Sequence, residues 1–216
     1  IHRTALMVSL LIVATGGLPR ALEIEGAQFA IESWDVLSGA KKLSGDVIVF
    51  DDQCATQSLD AVEAVLRSGG KVEFVTPERT IAPDVGGMVA AQYFANLNEQ
   101  GVKFTMLRHI RSLSKTSDGR LAVKLGIDSS DWTEERIVDA VVVEAGTDAM
   151  SELYDELVGL SSNEGGYDLN DYLARRPQTM VRNPDGKFQL FRIGDAVASR
   201  NVHAAILDAN RLCQAI

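Results

Sequence analysis

The chain has 216 residues, 46% hydrophobic and 24% charged, with a net charge of −9. That is enough apolar material for one sizeable core or two small ones, and the acidic balance sets aside nucleic acid and anionic membrane as partners. Two isolated cysteines, Cys54 and Cys213, make neither a metal cluster nor a disulfide framework, and point to a reducing, cytoplasmic setting.

The first element is an apolar run over residues 5–14, preceded by His2 and Arg3 and followed by Thr15-Gly16-Gly17. It is too short to span a bilayer, which needs about 20 apolar residues. Two readings compete: the apolar core of a secretory signal and a fully buried parallel strand. An internal echo favours the strand. Residues 6–16 and 138–146 are both apolar runs that close on Ala-Thr-Gly or Ala-Gly, and a leader has no reason to recur in mid-chain.

Residues 46–50, rich in β-branched side chains, predict a strand. Ser58 is placed to cap a helix bearing Leu59, Val62, Val65 and Leu66, which Gly69-Gly70 ends. Residues 71–75 are the next strand, so this stretch is a βαβ unit. A helix is predicted over 87–100 with Val89, Tyr93, Phe94 and Leu97 inward, and a strand over 102–107. Asp118-Gly119 between apolar segments 110–113 and 121–125 predicts a hairpin. Residues 137–143 read as one strongly apolar strand and 151–160 as a helix. Residues 161–186 are polar and read as surface loop with a turn at Asn183-Pro184-Asp185-Gly186. A last strand over 188–193 ends at Gly194-Asp195-Ala196. A helix over 201–216 closes the chain, with Val202, Ala205, Ile206, Ala209, Leu212 and Ile216 on one side.

This order of motifs resembles the two-dinucleotide-domain flavoproteins, in which a pyridine-nucleotide domain is inserted into a flavin-type domain. Ala14-Thr15-Gly16 resembles the exit from the larger domain, and Gly194-Asp195-Ala196 the return. Residues 192–200, Arg-Ile-Gly-Asp-Ala-Val-Ala-Ser-Arg, resemble the closing motif of the trimethylamine dehydrogenase and 2,4-dienoyl-CoA reductase group of NADH:flavin oxidoreductases, with Ser199 where that group has Pro. The resemblance implies an α/β, Rossmann-like, three-layer dinucleotide-binding fold. Residues 1–30 would be the first segment of a partial FAD/ADP-type domain and 31–150 an inserted, degenerate NAD(P)-type domain. Residues 151–186 would be a connecting helix and loop, and 187–216 the return segment. It further implies a C-terminal fragment of an oxidoreductase whose upstream barrel binds FMN and whose cysteine cluster holds a 4Fe-4S centre, with ADP or FAD in the larger domain. None of these cofactors is expected in the fragment alone, which is expected to be inactive. The implied partners are that barrel, an electron-carrier protein and, at full length, further copies of the chain.

The inserted domain departs from the group's pattern. A dinucleotide fold needs glycines after its first strand so that the backbone can approach the pyrophosphate. Here residues 51–58, Asp-Asp-Gln-Cys-Ala-Thr-Gln-Ser, contain none, and no Gly-x-Gly-x-x-Gly occurs anywhere. Ordinary NAD(P) binding is therefore not expected. That tilts the choice toward an amine dehydrogenase or demethylase, with an NAD(P)H-dependent enoate or dienoyl-CoA reductase, or a non-catalytic docking module, as alternatives. The candidate cofactor residues, all implied by the resemblance, are Thr15, Gly16, Gly194, Asp195 and Arg200. Asp195 would meet a ribityl or ribose group and Arg200 a phosphate. Against these stand a helix cap for Asp195, a surface ion pair for Arg200 and a plain interdomain turn for Gly16. Glu78, where a ribose-binding acid would stand, reads as a solvated loop residue, and Cys54 as a small buried one. His2, His109 and His203 are isolated, so no catalytic residue and no metal ligand is expected.

Overall fold

The computed structural model describes residues 9–216. The stretch expected as a strand over residues 5–14 is described only from residue 9, and His2 lies outside the described residues. The fold is α/β, as expected. It divides into an inserted unit, Pro19–Gly146, and an outer unit built from Ile1–Leu18 and Thr147–Ile216. Those boundaries fall before residues 30 and 150, and the 151–186 segment belongs to the outer unit.

The chain starts with β1 (Leu10–Val13) and β2 (Gly17–Pro19) and then enters the inserted unit. There β3 (Ile31–Glu32), α1 (Ser33–Leu37), β4 (Gly45–Asp51), α2 (Thr56–Arg67), β5 (Gly70–Val75), α3 (Gly87–Glu99) and β6 (Lys103–Thr105) follow one another. Next come β7 (His109–Lys115), β8 (Leu121–Gly126), β9 (Thr133–Val138) and β10 (Ala140–Glu144). The five-stranded parallel sheet has the order β3-β10-β4-β5-β6, and β7-β8-β9 form a separate antiparallel meander.

Period-two alternation along the central strands builds two cores from one sheet. Val47, Val49, Val72, Phe74 and Val142 face the helices with Leu59, Val62, Val65 and Leu97. Ile48, Phe50, Val75, Val141 and Val143 face the meander with Ile110, Leu113, Val123 and Leu125. Strands buried on both faces read as continuous apolar runs, which is why residues 46–50 and 140–143 stand out in the sequence. Fully burying a side chain such as Phe74 contributes about 1.5–3 kcal/mol. A charge ladder stitches the unit's two sheets together. Glu73 on β5 accepts from Lys103 Nζ (2.9 Å), Thr105 Oγ1 (2.7 Å) and Arg136 Nε (3.1 Å). Arg136 also pairs with Glu134 (2.8 Å), and Glu134 with Arg108 (3.0 Å).

Within the inserted unit, three local expectations are corrected. The apolar run 137–143 is two strands, because Asp139 breaks it. Its amide donates to the Asp46 carbonyl (2.7 Å), while its carboxylate accepts from the Asp46 amide (2.7 Å) and from Arg120 (3.1 Å). The chain therefore leaves the meander as β9 and enters the parallel sheet as β10. Ser58 does not cap α2. The helix starts at Thr56, its N-cap position is Ala55 without a side-chain cap, and Ser58 Oγ donates back to the Ala55 carbonyl (3.3 Å). On α3, Leu97 is buried, but Val89 points to solvent.

The outer unit resumes with β11 (Thr147–Ala149), which pairs with β2, then α4 (Glu152–Val158), α5 (Leu169–Leu173), β12 (Gln189–Arg192) and α6 (Val202–Gln214). β1 and β12 form a two-stranded parallel sheet in the register Leu10↔Gln189 to Val13↔Arg192. Among the described residues its core is Val13, Leu190 and Ala196, with Tyr154, Leu157 and Phe188 against them. The segment read as loop contains α5, capped by Asp168, whose carboxylate accepts from the Asp171 amide (3.0 Å). It is fastened by Asn163, whose side chain accepts from the Leu190 amide (2.8 Å) and donates to the Leu190 carbonyl (2.9 Å), as a neighbouring strand would. On α6 the buried residue is Leu212, followed by Ala215 just past the helix, whereas Val202 and Ile206 are 65% and 63% exposed.

Candidate functional site: two strand edges

In an open α/β sheet, ligands bind beyond the carboxyl ends of the strands, where the strand order reverses. In the inserted unit that point lies between β4 and β10. The chain leaves β4 toward β5 and β6, then returns to β10 on the other side of β4. Register places Glu144 directly opposite Asp51, and Glu32 on β3 opposite Val143. Three carboxylates thus stand in a row along one sheet edge.

Two of them are buried, Asp51 at 0% exposure and Glu144 at 4%. One oxygen of Asp51 accepts from the backbone amides of Gln53 (3.2 Å) and Cys54 (3.1 Å), while its other oxygen is buried without a hydrogen-bond partner. Burial pushes Asp51 up to about 6, and the nearby Glu144 charge adds to that. The amides of Cys54 and Gln53 and the Ser58 hydroxyl pull the other way. Glu144 accepts from Ser33 Oγ and from the Gly146 amide (3.2 Å). Glu32 is raised by burial, then by Glu144 and Asp35. Over this edge lies the Gln53 carboxamide: a Cβ added at Gly146 would come 2.3 Å from its Oε1. Cys54 is half-buried, in the left-handed conformation (φ 66°), and burial followed by the Asp51 charge raises its thiol to about 11, so it is not a reactive thiolate. Glu78 is exposed, its amide turned back onto Thr76 Oγ1 (3.2 Å).

The outer unit presents a different edge. Because β1 and β12 are parallel neighbours, Thr15-Gly16 and Gly194-Asp195 emerge from the same end of their sheet. Thr15 Oγ1 donates to the Met150 carbonyl, and the Gly16 carbonyl accepts from the Met150 amide (3.0 Å). Gly16 and Gly194 are both left-handed (φ 77° and 63°), a conformation that favours glycine. An added Cβ would meet nothing within 4 Å at Gly16, and only Ala205 at 3.4 Å at Gly194. Asp195 sits half-buried in a 3-10 turn over Gly194–Ala196 and does not cap α6; that role falls to Asn201, whose Oδ1 accepts from the Ala204 amide (2.9 Å). Arg200 forms an ion pair with Asp208, which also accepts from the Gly194 amide (3.3 Å). The edge thus gathers four of the candidate residues directly and Arg200 through Asp208.

Sequence reading missed Glu144 and Gln53. Glu144 had a visible signal, an acid closing an otherwise apolar strand, but its proximity to Asp51 depends on strand order. The remaining polar candidates do no chemistry together: His109 pairs with Asp128 (2.6 Å), Cys213 is exposed, and no group of three or more potential metal ligands exists among the described residues.

No family model matches the chain. It is 42% identical over 206 residues to a probable N-methylproline demethylase of Rhizobium meliloti, an alignment covering 95% of this chain. It is 33% identical over 217 residues to an N,N-dimethylglycine/sarcosine dehydrogenase of Chromohalobacter salexigens and 31% identical over 209 residues to a multifunctional alkene reductase/demethylase of Caballeronia cordobensis, each again over 95% of this chain. The chain spans about 30% of the length of these curated relatives. The chain is thus homologous to part of these curated oxidoreductases. Among solved structures, 6-hydroxypseudooxynicotine amine oxidase from Pseudomonas geniculata N1 matches 96% of this chain and 29% of its own, with a TM-score of 0.74 at 22% identity, which speaks to the fold. No helix among the described residues is long and apolar enough to cross a membrane.

Proposed function

We propose that the chain is the C-terminal nucleotide-fold region of an FMN-dependent, iron–sulfur-containing amine dehydrogenase or demethylase, and that it serves as scaffold and cofactor platform rather than substrate site. The observation that carries this reading is the acid-lined edge of the inserted unit. A pyrophosphate there would face Asp51 and Glu144, both buried and unable to turn away, where a glycine-rich turn would offer bare backbone. Electrons from NAD(P)H have no docking place at such an edge. Relatives named as an N-methylproline demethylase and an N,N-dimethylglycine/sarcosine dehydrogenase fit an enzyme that draws electrons from an amine.

The outer edge suits an ADP-bearing cofactor. Left-handed Gly16 and Gly194 let the backbone approach closely, Asp195 is available to ribose or ribityl hydroxyls, and Arg200 can exchange Asp208 for a phosphate in a bidentate contact. Bound there, such a group would complete the larger domain. FMN and a 4Fe-4S centre, supplying the redox chemistry, belong to the remaining length of the protein, as does contact with an electron-carrier protein. The setting is the cytoplasm.

Two titrations test this. NADH added to the chain, followed by nucleotide fluorescence, is expected to show no saturable binding; tight binding that is lost on altering Asp51 would overturn the reading. Anaerobic addition of an N-methylated amino acid to the full-length protein is expected to bleach its flavin absorbance, and NADH is not. Bleaching by NADH alone would point to the reductase instead.

A further inference from the structure

The turn between β4 and α2 is not merely lacking in glycine: it is filled. In a dinucleotide fold, successive backbone amides of this turn and the first amides of the following helix converge on phosphate oxygens. Here consecutive amides, those of Gln53 and Cys54, converge on one oxygen of Asp51 at 3.2 and 3.1 Å. The left-handed Cys54 is part of that convergence, since a residue of this conformation in a turn aims neighbouring amides to one side. No other side chain competes for the position, because the twelve-residue α2 has no side-chain cap at its N-terminus.

A second observation is independent of the turn. The other Asp51 oxygen is buried and makes no hydrogen bond of good geometry: the Ser58 hydroxyl near it is turned to the Ala55 carbonyl. A carboxylate held with half its acceptors unsatisfied is not explained by a need to complete its own hydrogen bonds. Around it, Glu144 is fixed by Ser33 and Gly146, and the Gln53 carboxamide covers the Gly146 backbone.

We infer that the Asp51 carboxylate is a built-in occupant of the amide pocket in which this fold would otherwise hold a nucleotide phosphate, and that Asp51 and Gln53 determine the specificity of the inserted unit by closing it to dinucleotides. The inference rests on the reading that NAD(P)H is not a substrate here. It adds that the exclusion comes from occupation of the pocket by the Asp51 carboxylate, with the Gln53 carboxamide covering the neighbouring Gly146 backbone, over and above charge repulsion.

The test uses the chain as it stands, with NADH as probe. Wild type is expected to show no saturable binding. Asp51→Gly combined with Gln53→Gly is expected to bind at least tenfold more tightly than wild type. Asp51→Asn, which removes the charge but keeps an acceptor for the same amides, is expected to gain less than threefold. A folded Gly/Gly variant that gains nothing, or an Asn variant that gains as much as the Gly/Gly variant, overturns the inference while leaving the proposed function standing. Saturable binding by wild type instead overturns the proposed function. If the Gly/Gly variant does not fold, the wild-type amide resonances decide. The Gln53 and Cys54 amide protons should shift together as Asp51 takes up its proton, and this titration should vanish in Asp51→Asn. Amides indifferent to that proton would show that the pocket is not held by the carboxylate.

Discussion

The two strand edges of this molecule have the same ancestry of form and opposite surfaces. Both sit at the carboxyl ends of parallel strands, where an α/β fold binds nucleotides. The inserted unit closes its edge with buried Asp51 and Glu144 and with Gln53 laid across the backbone. The outer unit leaves its edge open at left-handed Gly16, where an added Cβ would meet nothing within 4 Å, while left-handed Gly194 beside it is buried with Ala205 at 3.4 Å from such a Cβ. Their supports differ in the reverse sense: the closed edge rests on a sheet with a core on each face, the open one on a two-stranded sheet over a small core. On the function proposed above, a nucleotide fold and a nucleotide site are separable properties, and a few side chains in one turn decide whether they coincide.

The contrast in support gives the largest expected effect. Phe74→Ala, in the middle of the inserted sheet, should cost about 3–5 kcal/mol in denaturant unfolding. A loss below 1 kcal/mol would mean that the inserted unit is not the well-packed partner in this comparison. Glu73→Gln breaks the charge ladder between the unit's two sheets. It should cost about 2 kcal/mol, because a mostly buried carboxylate with three donors is replaced by an amide that cannot serve them all. Little change in unfolding midpoint would demote the ladder to a surface feature.

The closed edge also predicts a pH dependence. Asp51 is raised by burial from its ordinary 3.8 to about 6, so the folded chain holds this proton more tightly than the unfolded chain. This group therefore adds stability as pH falls from 7 toward 4, about 1 kcal/mol by pH 5. Asp51→Asn should remove that gain. A variant with the wild-type slope would place the titration elsewhere. Glu73 and Glu134, both held low by their Lys and Arg partners, act in the opposite direction and lose their contribution only at lower pH. The smallest effect belongs to the open edge. Gly16→Ala meets no neighbour and should cost only the backbone strain of a left-handed alanine, about 1 kcal/mol. A loss of several kcal/mol would show that the edge is not open.

Much of this was legible because the central strands are buried on both sides. Val47, Val49, Ile48 and Phe50 need no alternation, and an unbroken β-branched run is rare outside such a sheet. The hairpin at Asp118-Gly119 was equally plain. Other features were hidden for identifiable reasons. Asp139 looked like one polar residue within an apolar strand; its role as the join between β9 and β10 depends on Asp46 and Arg120, which are distant in sequence. The fixed path of residues 161–186 depends on Asn163 satisfying both backbone groups of Leu190, which no local pattern announces. Asp51 was legible as a wrong residue in a phosphate turn. Glu144 was not, because only the strand order β10-β4 makes it Asp51's neighbour.

The pairing of Leu10 with Gln189 has a consequence for how the protein is made. A ribosome releases β1 before the inserted unit and β12 only after the whole of that unit has emerged. The inserted unit can condense while the chain is still growing, since all its strands and helices lie between residues 31 and 144, ahead of β12. β1 must wait, its ladder of amides and carbonyls unmatched, until residues 147–192 have followed the inserted unit out. Synthesis thus imposes an order of assembly on the two edges, and the open one is always the last to exist.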